Sequence, residues 1–253
     1  MASSMTVSSF RLCILLVILE RVFSACDDCV SSRASYYGSP DSLGNDRGAC
    51  GYGSFGRNLN GGDVACAAQL YRDGLGCGAC YQVICTNQDL CTEGGVKIVI
   101  TDMGQGDRTD FILSRHGYAK LGLSANASDQ LVAMGVVDIQ YKRVSCQYPG
   151  QNLMFKIDES TNFPYYLAFI FWYQAGQKDI LAVDVCETAT LQCKLRVTNH
   201  GAVWDVVSPP AGDLSIRFLV SDGDQQQWIT AANAIPANWT AGAVYDSGIQ
   251  LDS

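Results

Sequence analysis

The sequence predicts a mainly β protein built as two successive domains, and three observations carry that expectation. Val, Ile, Thr, Tyr and Phe recur in short runs broken by Gly, Asn, Asp and Pro clusters, the pattern of many short strands. Cysteine density changes along the chain: nine of the twelve fall between Cys26 and Cys146, and only Cys186 and Cys193 follow. At that change stands Gln147-Tyr-Pro-Gly-Gln151, a turn-rich stretch that reads as a linker. Domains of residues 26–146 and 152–253 are therefore expected, joined by 147–151.

The first 25 residues hold one early basic residue, Arg11, then the apolar run Leu12 to Leu19, then the small residues Ser24 and Ala25. This is the layout of a secretory signal peptide, and the run falls short of the roughly 20 apolar residues that span a bilayer. The mature protein is expected to be secreted and free of a membrane anchor. About 228 residues then remain, enough for two ordinary domains with real cores. The net charge is −8, with more acidic than basic side chains in both domains. That balance argues against nucleic acid, whose recognition rests on basic patches, and against holding an acidic polysaccharide by charge.

In the first domain, Ser35-Tyr-Tyr-Gly38 reads as a strand entering a turn, and its two tyrosines point to opposite faces. Asn45 to Gly53 is a glycine-dense loop that lets backbone approach a ligand. Val64 to Tyr71 has helix-like apolar spacing and is the one helix expected before the cysteine cluster. Gly95–Thr101 reads as a strand ending in Asp102. Thr109–Ser114 reads as the next strand, His116–Leu121 as a short helix, and Gly135–Val144 as a half-buried final strand.

Gly74–Cys91 (GLGCGACYQVICTNQDLC) packs Cys77, Cys80, Cys85 and Cys91 into one stretch. A zinc site would need a second ligand pair of matching spacing, and the chain has only two histidines. Secretion favours disulfides instead. Because Cys13 leaves with the signal, eleven cysteines remain and one thiol is left without an intramolecular partner.

The motifs Ala34-Ser-Tyr-Tyr-Gly38, Arg47-Gly-Ala-Cys-Gly-Tyr52, Gly76-Cys-Gly-Ala-Cys80, Ile100-Thr-Asp102 and Arg143-Val-Ser-Cys146 resemble the expansin superfamily, specifically the B subgroup of plant expansin-like proteins. The resemblance implies a six-stranded double-psi β-barrel, similar to that of family-45 endoglucanases, followed by an immunoglobulin-like carbohydrate-binding β-sandwich. It implies the pairs Cys50–Cys77, Cys80–Cys146 and Cys85–Cys91. Cys26, Cys29, Cys66, Cys186 and Cys193 are left over. Similar sequences carry a cysteine near Ser42 and none at Cys66, so this chain departs from them. A Cys186–Cys193 bridge inside the second domain is expected.

Asp102, Asp107 and Asp110 cluster around one polar loop, and an inverting glycosidase needs two carboxyl groups roughly 6.5–9.5 Å apart. Loop aspartates also cap turns, which is the reading adopted for Asp107. The resemblance assigns Asp102 to the binding groove. It also aligns the family motif His-Phe-Asp-Leu-Ser with Asp110-Phe-Ile-Leu-Ser114, so that Ile112 stands where the second acid is expected. Asp110 and Ile112 share a strand face if the strand is regular, which makes Asp110 a partial substitute. No catalytic residue and no glycoside hydrolysis are therefore predicted. The polysaccharide groove is expected to comprise Ser35, Tyr36, Tyr37, Asp102 and Asp110.

Beyond the linker, strand-like runs at Leu153–Ile157, Tyr165–Tyr173, Ile180–Val185, Ala202–Val206, Leu214–Val220 and Gln227–Thr230 alternate with turns and predict a sandwich. The resemblance extends to Phe163-Pro-Tyr-Tyr166, Asn199-His-Gly-Ala-Val-Trp204 and Ile235 to Tyr245. It implies a sugar-stacking platform of Tyr173 and Trp204, with His200 where the family has an aromatic. Of the adjacent Trp172 and Tyr173, Tyr173 is expected to face out. Asn126 and Asn238 lie in glycosylation sequons. The expected partners are neutral cell-wall glucans, such as cellulose or xyloglucan, bound by a monomer in the plant cell wall with no cofactor and no metal. The protein is expected to loosen wall contacts without cutting them; a weak glycosidase and a passive binding or defence module are the alternatives.

Overall fold

The computed structural model describes residue 26 and residues 28–106, 108–194 and 198–251. The signal segment and Asp107 lie outside the described residues. Six strands close a barrel in the first half: β1 (Val30–Tyr37), β2 (Val64–Ala67), β3 (Cys80–Cys85), β4 (Val96–Met103), β5 (Phe111–Ser114) and β6 (Val136–Val144). Their order around the barrel is β1-β5-β2-β4-β3-β6, with β1/β5 and β2/β4 parallel and the other pairs antiparallel. Closure removes every unpaired strand edge. Its interior is filled by Ile98, Ile100, Phe111, Leu113 and Ile139, with Tyr81, Phe111 and Tyr141 meeting edge to face.

Val64–Tyr71 is not a helix. Its first four residues form β2, all of them buried between β4 and β5, and the chain then turns through the kinked 3-10 segment Gln69–Gly74. A short apolar run with small residues serves a strand buried on both faces equally well, so spacing alone misassigns it. Among the described residues, three α-helices stand outside the barrel: α1 (Gly53–Asn58), α2 (Arg115–Ala119) and α3 (Ala125–Met134). Ser124 caps α3 by accepting the Ala127 N–H at 3.2 Å.

The second half stacks two sheets. One holds β7 (Met154–Ile157), β8 (Tyr166–Trp172), β11 (Thr198–His200), β12 (Val203–Val207) and β15 (Val244–Asp246), in the order β11-β12-β8-β7-β15. The other holds β9 (Asp179–Glu187), β10 (Cys193–Lys194), β13 (Leu214–Ser221) and β14 (Gln226–Ile235), in the order β10-β9-β13-β14. Phe155, Phe169 and Phe171 of the first sheet interlock with Val183, Val185, Ile216 and Phe218 of the second.

Five disulfides are formed: Cys26–Cys29, Cys50–Cys77, Cys80–Cys146, Cys85–Cys91 and Cys186–Cys193. Among the described residues, Cys66 is the free, buried thiol. The Gly74–Cys91 stretch thus ties the glycine loop to the barrel through Cys77, and the chain beyond β6 to β3 through Cys80.

The two halves meet over a real interface. Cys50, Tyr52 and Cys77 of the barrel half bury Ile170 of β8, with Val203 packed alongside. The Asp179 carboxylate receives both Arg72 Nη atoms, at 2.6 and 2.9 Å, and Arg143 Nη2 at 2.7 Å. Main-chain bonds add to this, Ala202 N to Cys50 O at 3.0 Å and a reciprocal pair between Cys146 and Gly176.

Candidate functional site

At the end of β4, Asp102 lies in register with Cys66 of β2, Cys66 with Ile112 of β5, and Ile112 with Ser35 of β1. Directly paired residues project to the same side of a sheet, so these four form one row across the outside of the barrel. Beside Asp102 opens a groove of about 570 Å³ lined by Tyr37, Ser39, Asn45, Asp46 and Cys66. Arg57 of α1 closes part of its margin by pairing with Asp41.

Asp102 is held by four donors. Its Oδ1 accepts the Ala49 N–H at 2.6 Å and the Met103 N–H at 2.8 Å. Its Oδ2 accepts Asn45 Nδ2–H at 3.1 Å and the Cys66 thiol at 3.6 Å. The carboxylate therefore clamps the glycine loop to β4. Burial, reinforced by the negative charge of Asp102, pushes the Cys66 thiol up to about 12, so it stays protonated and donates. The Tyr37 hydroxyl is raised as well, first by burial and then by Cys66 and Asp102.

The adjacent tyrosines separate as alternation requires. Tyr37 lines the groove, but Tyr36 does not: its ring lies 4.9 Å from Tyr118, and its hydroxyl donates to the Val132 carbonyl at 3.1 Å. Placing both in the groove is corrected accordingly, because neighbours on one strand cannot share a face. Asp110 is also elsewhere. It precedes β5, lines a separate recess with Met103, Gln105 and Arg108, and accepts the Tyr141 hydroxyl at 3.1 Å. Burial and the Asp110 charge push that hydroxyl up to about 12. The position that shares the row with Asp102 is Ile112, two strands over, or roughly 10 Å at an interstrand spacing near 4.8 Å. An acid there would stand across from Asp102; an isoleucine offers no proton.

In the second half, Trp204 is 7% exposed and sits in the sandwich core beside Phe169, so it is not a surface platform. Strand alternation explains this: Val203 faces the barrel and turns Trp204 inward. Trp172 and Tyr173 do not divide into one inside and one outside. Tyr173 leaves β8 with φ +59°, which breaks the alternation, and both rings are half-exposed at the domain junction. There Trp172 stacks on Phe55 of α1 at 4.1 Å and 12°. Tyr173 meets Phe55 edge-on at 5.0 Å and Tyr148 at 5.5 Å. The cleft they line measures about 450 Å³ and is edged by Ser54, Asn58, Asn60 and Gln147. His200 is exposed on β11, its Nε2 3.9 Å from Asp205, and does not line this cleft. Sequence reasoning missed Phe55 and Tyr148; an aromatic just after the glycine loop and one inside the linker were the signals at hand. Asn126, on α3, and Asn238 are both exposed. Among the described residues, no group of three or more His, Cys, Asp or Glu is placed to hold a metal, and no helix is long and apolar enough to cross a membrane.

Residues 153–236 match the family model for the expansin C-terminal domain, and residues 63–141 match a double-psi-barrel model described as lytic transglycolase. The chain is 56% identical over 223 residues to Expansin-like B1 of Oryza sativa subsp. japonica, covering 87% of each. The chain belongs to the expansin-like family. Expansin-like B1 of Arabidopsis thaliana is 46% identical over 237 residues, with 93% of this chain and 94% of the relative covered. The expansin of Clavibacter michiganensis shares the fold, with a TM-score of 0.63 over 88% of this chain and 97% of that one at 16% identity. A variant of that bacterial protein, crystallised with cellohexaose, superposes with a TM-score of 0.62 at 16% identity over 86% and 96% of the two chains.

Proposed function

We propose that this expansin-like chain is a secreted cell-wall protein that binds neutral glucans and loosens contacts between polysaccharides without cutting them. One observation carries the reading: a groove whose Asp102 carboxylate is held by four hydrogen-bond donors lies on one side of α1, and an aromatic cleft edged by neutral amides lies on the other. Sugar rings present apolar C–H faces and hydroxyl rims, which suit stacking on Trp172, Tyr173 and Phe55 with Asn58, Asn60 and Gln147 nearby. The absence of a free cation lining this cleft suits an uncharged polymer. The cellohexaose complex of the bacterial relative supports a β-glucan as ligand. Ser35, Tyr37 and Asp102 form the groove part of this surface, and Tyr173 with Phe55 and Trp172 forms the junction part. Tyr36, Trp204 and Asp110 support the fold around it. The exposed Asn126 and Asn238 are N-glycan acceptors in this reading.

The test joins three measurements on the secreted protein: creep of heat-inactivated wall strips, pull-down on cellulose and xyloglucan, and reducing-sugar release. Binding and creep without sugar release are expected. Binding without creep replaces loosening by a passive wall module, and sugar release abolished by Asp102→Asn replaces it by a glycosidase.

A further inference from the structure

The sandwich has a second surface, on the sheet that faces away from the barrel. β8 and β12 press their outer sides against the barrel half through Ile170 and Val203, so the outer side of β9, β13 and β14 lies across the sandwich core from the junction. On that outer side Ala182, Leu219 and Trp228 stand in register across the three strands, followed by a parallel row of Asp184, Arg217 and Thr230. Trp228 is 45% exposed. Its ring is fixed by the Arg217 guanidinium, 4.7 Å from the ring centre. Arg217 in turn is pinned by two hydrogen bonds to the 4%-exposed Asp184, from Nε at 3.0 Å and Nη2 at 2.6 Å.

We propose that Trp228 is a second glycan-stacking site, placed to bind a neutral polysaccharide chain on the side of the sandwich opposite the junction and so to make the protein bivalent. The ligand class follows from the chemistry of the strip. Arg217 is neutralised by Asp184, so an anionic polymer finds no free charge. Trp228 is the one large hydrophobic side chain exposed on these three strands, too little for a protein interface, which needs on the order of 1,000 Å² with an apolar centre. A sugar ring needs less: one oriented aromatic face with hydroxyl and amide groups beside it, here Thr230 and Gln226, both exposed. The row is about two interstrand spacings long, roughly 10 Å, and offers a short length of polymer a flat seat. Cation–π stacking holds the ring in one orientation before the ligand arrives, which lowers the ordering cost of binding.

The glucan as ligand rests on the proposed function; the site itself does not. Four full-length proteins separate the two: wild type, Trp228→Ala, Trp228→Phe and Tyr173→Ala. Binding isotherms on cellulose and on xyloglucan are read beside capture of labelled soluble xyloglucan onto cellulose by the protein. Trp228→Ala is expected to weaken binding by roughly three- to tenfold, the worth of one aromatic stack, and to abolish capture, while Trp228→Phe keeps most of both. Loss in Trp228→Ala with no change in Tyr173→Ala sinks the junction reading and leaves this site standing. Wild-type binding and capture by Trp228→Ala overturn the proposal. So does a concentration-dependent dimer of the wild type, seen by sedimentation and lost in Trp228→Ala, because a second copy then occupies the strip. Thr230→Glu, which leaves the ring untouched and sets a charge beside it, repeats the test should Trp228→Ala fail to fold: unchanged capture by Thr230→Glu also overturns it.

Discussion

Asp179→Asn should loosen the junction in a way that depends on pH. In the native protein Asp179 accepts three charge-assisted hydrogen bonds, two from Arg72 and one from Arg143. Its side chain is 15% exposed, against 36% for Arg72 and 24% for Arg143. A hydrogen bond to a charged group contributes about 1.5–3 kcal/mol, but the third-exposed Arg72 shares its charge with solvent and counts for less. Asparagine keeps one acceptor and turns an amide N–H toward a guanidinium, so a net loss of about 2–3 kcal/mol is expected. For a chain of this size that corresponds to a fall in Tm of roughly 4–12 °C. Burial raises the Asp179 pKa, but the bonds from Arg72 and Arg143 outweigh it and hold the carboxyl below its ordinary value. A depressed folded-state pKa stabilises above the unfolded value, near 3.9, and that stability disappears as the pH falls through the lower folded value. Calorimetry of both proteins between pH 7 and pH 2.5 should therefore show a constant Tm gap down to about pH 5 that closes below about pH 4. A gap of the same size at pH 2.5 as at pH 7, or none at pH 7, would refute the reasoning.

Cys80→Ser opens a bridge with a sequence separation of 66 and should cost about 4 kcal/mol by loop entropy; wild-type secretion and Tm would contradict the tie that Gly74–Cys91 makes to the chain beyond β6. Cys66, with its thiol pushed up to about 12 and its surface 9% exposed, should resist iodoacetamide at pH 8 until the protein is unfolded, as read by mass spectrometry. Trp204→Ala should destabilise the sandwich by about 3–5 kcal/mol in urea while the folded fraction keeps its cellulose affinity; a stable variant with lost affinity would restore Trp204 to the surface. Asn45→Ala should raise hydrogen exchange at the Ala49 amide, because the Asp102 clamp loses its side-chain anchor in the loop.

The features that resisted sequence reading share a physical cause. The barrel strands other than β2, and the pairs Cys50–Cys77, Cys80–Cys146 and Cys85–Cys91, were readable because closely spaced motifs identified the family. The Cys186–Cys193 bridge followed from what was left, and β9 and β10 bring the two residues face to face. Trp204 was misread because its facing depends on Val203 meeting the other domain, a tertiary fact invisible in a strand of alternating residues. Phe55 was missed because glycine-rich helices such as α1 lack both propensity and periodicity. Asp110 lost the groove because it stands just before β5 and accepts the Tyr141 hydroxyl.

The domain junction also has a mechanical side. A Cβ on Gly74 would lie 2.3 Å from the Gly201 carbonyl oxygen, and one on Gly201 would lie 2.2 Å from the Ala49 carbonyl oxygen. At these two glycines backbone thus runs directly against backbone, beside the side-chain contacts of Ile170, Val203 and Asp179. Disulfide-pinned loops flank that contact on the barrel side. Torque applied to one half therefore reaches the other, at these points, through closely opposed main chain. For the polysaccharide contact proposed above, that coupling would carry a pull on the sandwich straight into the groove side of the barrel.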